Sequence, residues 1–318
     1  MLTTEIIHYF AVILSVSLAS IGTGLGQGFS VFGVMSALSR QEEGNDHVFR
    51  TMVIGLAFIE SGVILALVIS LMFLFSGNVR LTSGMAIAEL GIAIMMGIVA
   101  TAIGIASSYA VRSSAISVGR QPFFSQKILT LMLVTQSLME TPVVFAFVVG
   151  LIIKSKFAMI TTVPLGFKYF AAASCLTLGS IGPAIGQGLF AKASCKAVGL
   201  NKKAYSKLLP FAIINGAVIQ TPIIFSLLLS ILIIFYALPK NPVGTVISFL
   251  IIAFTIGAGS LGTAVGAGFV GSKTVKRIAL DVDNYSVLFR SNILAQAFIE
   301  SSVIYTLIVS LAILGQKF

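Results

Sequence analysis

The sequence predicts an all-α membrane protein of four tandem helical hairpins, and three observations predict it. Hydrophobic residues fill 57% of the 318 positions and charged residues 9%, too few charges to cover a soluble surface. The apolar residues form continuous runs, as membrane helices require, whereas lipid-facing strands would alternate apolar and polar positions in segments of about ten residues. The whole pattern also returns every 80 residues.

A spanning helix needs about 20 mostly apolar residues, and eight runs qualify: 6–38, 51–75, 85–118, 127–153, 166–199, 207–238, 244–272 and 289–314. An even number of spans puts both termini on one side of the membrane. The start, Met1 to Tyr9, carries Glu5 and no basic n-region, so the first run is expected to be kept as a span rather than cleaved.

The formal charge of +10 does not point to nucleic acid, because the basic residues sit in short connections between spans. The connections after spans one, three, five and seven hold Arg40, Arg50, Arg112, Arg120, Lys127, Lys192, Lys196, Lys202, Lys203, Lys207, Lys273, Lys276, Arg277 and Arg290, which is 14 of the 20 basic residues. By the positive-inside bias these hairpin loops are expected in the cytoplasm, with both termini on the opposite side.

The repeat divides the chain into hairpins 1–80, 81–160, 161–240 and 241–318. Its clearest mark is the series Glu60, Glu140, Gln220 and Glu300, spaced by 80 residues without a gap, in the contexts AFIESGVI, SLMETPVV, AVIQTPII and AFIESSVI. A hydroxyl residue always follows: Ser61, Thr141, Thr221 and Ser301. Each copy has an even number of spans, so the repeats are parallel, unlike the inverted repeats of many secondary transporters.

The first helix of each hairpin aligns at the same offset through SIGTGLGQG (20–28), ATAIGIASS (100–108), SIGPAIGQG (180–188) and SLGTAVGAG (260–268). Its glycines expose backbone, which permits close helix packing; their recurrence favours a concentric ring. Gly22-Thr23-Gly24 is no dinucleotide turn, because it lies inside a long apolar helix and follows no strand.

A carboxylate at mid-membrane depth costs ~3 kcal/mol on insertion scales, so Glu60, Glu140 and Glu300 each need a proton or a coordinated cation. Gln220 can neither exchange a proton near neutral pH nor offer a cation a counter-charge, and the third hairpin is expected to be silent.

In these features the whole chain resembles the c subunit of F-type ATP synthases, the proteolipid of the rotor ring, as four fused copies. The residues that carry the resemblance are the glycine-rich first helix, the mid-membrane carboxylate on the second, and the loop sequences Arg40-Gln41 and Arg120-Gln121-Pro122, which are similar to the family's Arg-Gln-Pro turn. The resemblance implies a non-catalytic, ion-translocating subunit with no resident cofactor, carrying H+ or Na+. It implies as partners lipids, further copies of the chain in a ring, a stator a subunit and central-stalk subunits, the last contacted by those loops.

Gln27, Glu60 and Ser61 resemble the ligand set of sodium-binding members. By position the resemblance adds Ser107 and Gln187 in place of Gln27, Gln136 and Gln296 one turn before their carboxylates, the hydroxyls of Thr141, Thr221 and Ser301, and Tyr305. Position 267 holds alanine. The loops LNKKAYSK and LDVDNYSV lack the Arg-Gln-Pro pattern. Within the wider family, the proteolipid of V-type or archaeal ATPases is the alternative. A self-contained secondary transporter or channel fits parallel one-carboxylate hairpins less well.

Other polar residues carry less. Glu89 lies about 27 Å along the helix from Ser107 and reads as interfacial, and His8 and His47 are isolated and lack the partners of a metal site. Cys175 and Cys195 are about 30 Å apart on one helix, too far for a disulfide. Pro142 and Pro222 are expected to kink the second helices beside the site and to free a carbonyl there.

Overall fold

The computed structural model describes residues 2–39, 44–75, 81–239 and 242–316. Among them, eight helical spans are long and apolar enough to cross a membrane. The first helices of the hairpins are α1 (Leu2–Leu38), α3 (Ser83–Arg120), α6 (Val163–Leu200) and α8 (Val243–Leu280). The second helices are α2 (Asn45–Leu74), α7 (Tyr205–Phe235) and α9 (Tyr285–Gly315), and in the second hairpin the pair α4 (Ser125–Met139) and α5 (Thr141–Ser155). At 38 residues, α3, α6 and α8 are each about 57 Å long. They outreach a hydrocarbon core of about 30 Å.

The first helices stand side by side in one row, and the second helices form a second row in which each packs on its own partner and, in the first three hairpins, also on the first helix of the next hairpin. Glycine sets the spacing of the first row. A Cβ on Gly26 would lie 2.2 Å from the Gly104 carbonyl oxygen, and one on Gly186 2.1 Å from that of Ala264. These backbones touch, with Ala100, Ala110, Ala171 and Ala191 buried nearby. Second helices meet instead through larger side chains, as α7 and α9 do through Phe211 and Phe289, whose ring centroids are 6.1 Å apart. Two linked rows of unequal spacing curve, and the tighter one takes the inside of the arc.

At the two ends of the inner row the same glycine surface is left open. A Cβ on Gly24 or Gly28 of α1, or on Gly262 of α8, would meet nothing within 4 Å, and one on Gly266 only an Ile299 methyl at 3.5 Å. Inside the chain the equivalents of these positions press on backbone, as Gly182 does on Ser260 and Leu261, and Gly268 on Gly186.

The loop ends are laced from hairpin to hairpin. Gln121 Nε2 donates to the Gly199 carbonyl at 2.9 Å, and Asn201 Nδ2, one repeat on, donates to that of Ala279 at 2.8 Å. The Asp281 side chain, at the next repeat, has no N–H to give and instead accepts from the backbone and side chain of Asn284. The amide of Gln121 is thus engaged within the chain, while Arg120 and Phe123 stand exposed beside it. Arg40 and Gln41 lie outside the described residues.

The two prolines behave differently. The helix of the second hairpin stops at Met139 and resumes at Thr141, with Pro142 in the first turn of α5, whereas α7 runs unbroken through Pro222. Val143 and Val144 N–H reach the Glu140 carbonyl at 3.0 and 3.2 Å, and Gln136 and Leu138 also accept at the break.

Candidate ion-binding sites

The Glu140 carboxyl sits in the break between α4 and α5, at the middle of its span. Its partner comes from the preceding hairpin: Ser61 Oγ donates to Glu140 Oε2 at 2.8 Å while also approaching the Phe58 carbonyl at 2.8 Å. Successive residues of a helix point about 100° apart, so Ser61 turns to the neighbouring hairpin while the Glu60 side chain is exposed on the free edge of the chain. Within the chain Ser61 thus serves Glu140, whereas the resemblance to sodium-binding members groups it with Gln27 and Glu60.

The other Glu140 oxygen, Oε1, is buried and has no hydrogen-bond partner, and the same holds for Ser107 Oγ and Gln136 Oε1. Ser107, from α3, neighbours the Glu140 carboxyl. Gln136 is anchored by its other end, Nε2 donating to the Gly55 carbonyl at 3.2 Å.

Glu300 is half-buried at the far edge, with Oε1 buried and unpartnered. Gln296, one turn before it, donates from Nε2 to the Ala267 carbonyl at 3.0 Å and to Asn215 Oδ1 at 3.1 Å, leaving Oε1 buried and free. Ser301 Oγ turns back to the Phe298 carbonyl at 2.7 Å. Tyr305, five residues after Glu300, is 65% exposed. Thr141 and Thr221 are half-buried beside their glutamate or glutamine, and Gln27 is half-buried on α1.

In the third hairpin Gln220 and Gln187 are both buried, and none of their four amide atoms has a partner. A Cβ at Gly216, one turn before Gln220, would lie 3.0 Å from Gln187 Nε2. At these paired repeat positions each hairpin carries one glutamine: Gln27 with Leu56, Gln136 with Ser107, Gln187 with Gly216, and Gln296 with Ala267. The helix that does not carry it has an apolar or small residue there. The contact of Gln296 with the Ala267 carbonyl shows how a second-helix glutamine reaches the place that Gln187 fills from the first.

Sequence reasoning missed a polar chain between the third and fourth hairpins. Asn292 Nδ2 donates to Asn215 Oδ1 at 2.9 Å, and Thr274 Oγ1 donates to Asn292 Oδ1 at 3.1 Å. Asparagine inside an apolar run was the available signal. It also missed the partner of His8. His8 is not isolated: its Nδ1 lies 2.7 Å from Oε2 of Glu89, which is fully buried among the helices near the outer end of α3.

The profile of the ATP synthase c-subunit family matches residues 10–73, 90–153, 170–233 and 250–313, once per hairpin and in steps of 80 residues. The chain belongs to this family. Its c-subunit relatives resemble one hairpin at a time. The ATP synthase c subunit of Syntrophobacter fumaroxidans is 42% identical over 64 residues, 20% of this chain and 71% of the relative. That of Dehalococcoides mccartyi is 38% identical over 71 residues, 22% and 93% of the two chains. That of Geotalea uraniireducens is 41% identical over 63 residues, 20% and 69%. The four c-subunit repeats here are fused in one polypeptide, and each match contains its Glu60, Glu140, Gln220 or Glu300.

Proposed function

We propose that this chain is a rotor-ring subunit of a rotary ATP synthase or ATPase, in which Glu60, Glu140 and Glu300 carry the ion and Gln220 marks a silent step. The observation that carries the reading is the Ser61 to Glu140 hydrogen bond, because it builds a carboxylate site from two adjacent hairpins. Repeated at 80-residue intervals, the same relation pairs Thr141 with Gln220 and Thr221 with Glu300. It leaves Glu60 to be completed by Ser301 of a second copy, across the open glycine faces of α8 and α1. A ring of chains gives every carboxylate such a neighbour.

The carried ion is a proton or a sodium ion. Either neutralises the carboxylate, and the neutral site can travel through lipid; the emptied, charged site costs ~3 kcal/mol there and can exist only opposite the water path and basic group of a stator. Ion flow thereby becomes rotation, driven by about 2.3 kcal/mol per charge per 100 mV. Gln220 enters lipid neutral at every pass and moves no charge, so three ions cross for each four hairpins. Fewer ions per ATP means more free energy per ion, which suits ATP-driven export against a steep gradient. The exposed loop residues Arg120 and Phe123, in loops read as cytoplasmic from their charge, are the surface for a central stalk.

The test is carbodiimide labelling of the membrane-embedded protein with peptide-level readout. Glu60, Glu140 and Glu300 label and no label appears at Gln220. Protection by sodium identifies sodium as the carried ion, and absence of protection at every pH identifies the proton. No reaction at any of the three glutamates, or a purified protein that is only a monomer, would sink the reading.

A further inference from the structure

The inner row has an open face, turned away from the second helices, that the ion sites do not use. On α6 it runs through Leu178, Ile181, Ile185, Leu189, Lys192 and Lys196, at steps of three and four residues. It changes chemistry once, from apolar to basic, toward the loop end. Between α6 and α8 the basic part encloses about 350 Å³ and is flanked by Lys192, Lys196, Lys273 and Lys276, with Leu189 and Phe269 as its floor. Further from the loops the same groove opens again as an apolar cleft of about 220 Å³ beside Ile181, Phe254 and Leu261. A sister groove of about 250 Å³ between α3 and α6 is basic as well, through Arg112, Arg120, Lys192 and Lys196.

No acidic side chain pairs with these lysines among the described residues, where the one ion pair is His8 with Glu89 near the opposite end of the helices. Lys196 lies nine residues beyond Gln187, the level of the ion sites, which is about 13 Å by helical rise and close to the edge of a hydrocarbon half-thickness of about 15 Å. Long lysine stems reach that boundary from slightly deeper positions such as Lys192. A groove with a cationic head at headgroup depth and an apolar floor at acyl depth matches one molecule in a membrane.

We propose that the inner-face groove between α6 and α8 binds an anionic glycerophospholipid of the loop-side leaflet. Lys192, Lys196, Lys273 and Lys276 hold its phosphate, and its acyl chains lie along Leu189, Phe269 and Ile185 towards Ile181. Charge complementarity selects an anionic headgroup over a zwitterionic one. The apolar continuation selects a lipid over an acidic peptide, which would have to bury unsatisfied backbone at that depth. The groove lies within one chain, so the inference stands apart from ion identity and from ring closure.

The experiment uses the full-length protein in phosphatidylcholine vesicles doped with phosphatidylglycerol bearing an acyl-chain diazirine, with cross-linked peptides mapped after irradiation. Cross-links are expected on residues 181–189 and 261–269, on the order of tenfold above those from the same diazirine on phosphatidylcholine. The quadruple variant Lys192→Gln, Lys196→Gln, Lys273→Gln, Lys276→Gln is expected to abolish that preference, with carbodiimide labelling of Glu140 reporting that it is folded. Equal labelling by the two probes on the wild-type protein overturns the proposal, whether or not the variant assembles. So does an anionic preference that survives in the folded variant.

Discussion

Ser61 Oγ and Glu140 Oε2 meet at 2.8 Å across the boundary between the first and second hairpins. A hydrogen bond to a carboxylate is worth about 1.5–3 kcal/mol, and about 1.4 kcal/mol is a factor of ten in an equilibrium. Ser61→Ala is therefore expected to make Glu140 react with carbodiimide on the order of tenfold faster, since the ionised or ion-bound state loses a donor. Glu300, whose site uses other residues, keeps its rate; site-resolved labelling by mass spectrometry measures both. An equal change at the two glutamates would mean that the serine acts on the fold and not on one site.

Gln220→Glu restores a carboxylate at the silent position. Carriers per chain rise from three to four, so ions moved per ATP hydrolysed should rise by one third. Parallel measurement of ion uptake and ATP turnover in vesicles gives the ratio directly, and an unchanged ratio removes the role assigned to Gln220.

Gly262 faces open space in the single chain, while its equivalents Gly22 and Gly182 press on the backbone of the next hairpin. Gly262→Leu is expected to leave the chain helical and folded but to block its association with a second copy. Circular dichroism and native mass spectrometry separate the two effects. The matched control, Gly182→Leu, would push a side chain into Leu261 and Ser260 and should unfold the chain instead.

His8→Ala strands the Glu89 carboxyl, fully buried and with one oxygen already unpartnered. Breaking a buried pair from one side costs about 3–5 kcal/mol, and the melting temperature should fall accordingly. Adding Glu89→Gln to the same chain should recover most of that loss, because the unpaired charge is then gone. A melting curve indifferent to both changes would show that the pair contributes nothing to stability.

Hairpin count, span order and the mid-span position of the glutamates were legible in the sequence, because an 80-residue repeat averages out local ambiguity and apolar runs in lipid have one helical solution. The split of the fourth span was only half legible. Pro142 and Pro222 occupy the same repeat position, yet only the first interrupts its helix. What the sequence could not assign was the partner of each hydroxyl. Ser61 adjoins Glu60 in the chain, but helical geometry sends their side chains in different directions, and which neighbour receives each one is a property of packing between hairpins. Asn215 escaped for the same reason, since its repeat equivalents Gly55, Thr135 and Ala295 share no chemistry and its partners Asn292 and Gln296 lie in another hairpin.

The covalent joining of the hairpins has a consequence for timing. Were Gln220 carried by a separate one-hairpin protein, random assembly would sometimes set two or three uncharged positions in succession, and a stator facing that arc would have nothing to hold. Fusion fixes the order of the four copies, so in the proposed ring the blank always falls once in every four steps and never twice in a row. The rhythm of the motor is then written in the polypeptide itself and does not depend on how many of each kind the cell happens to make.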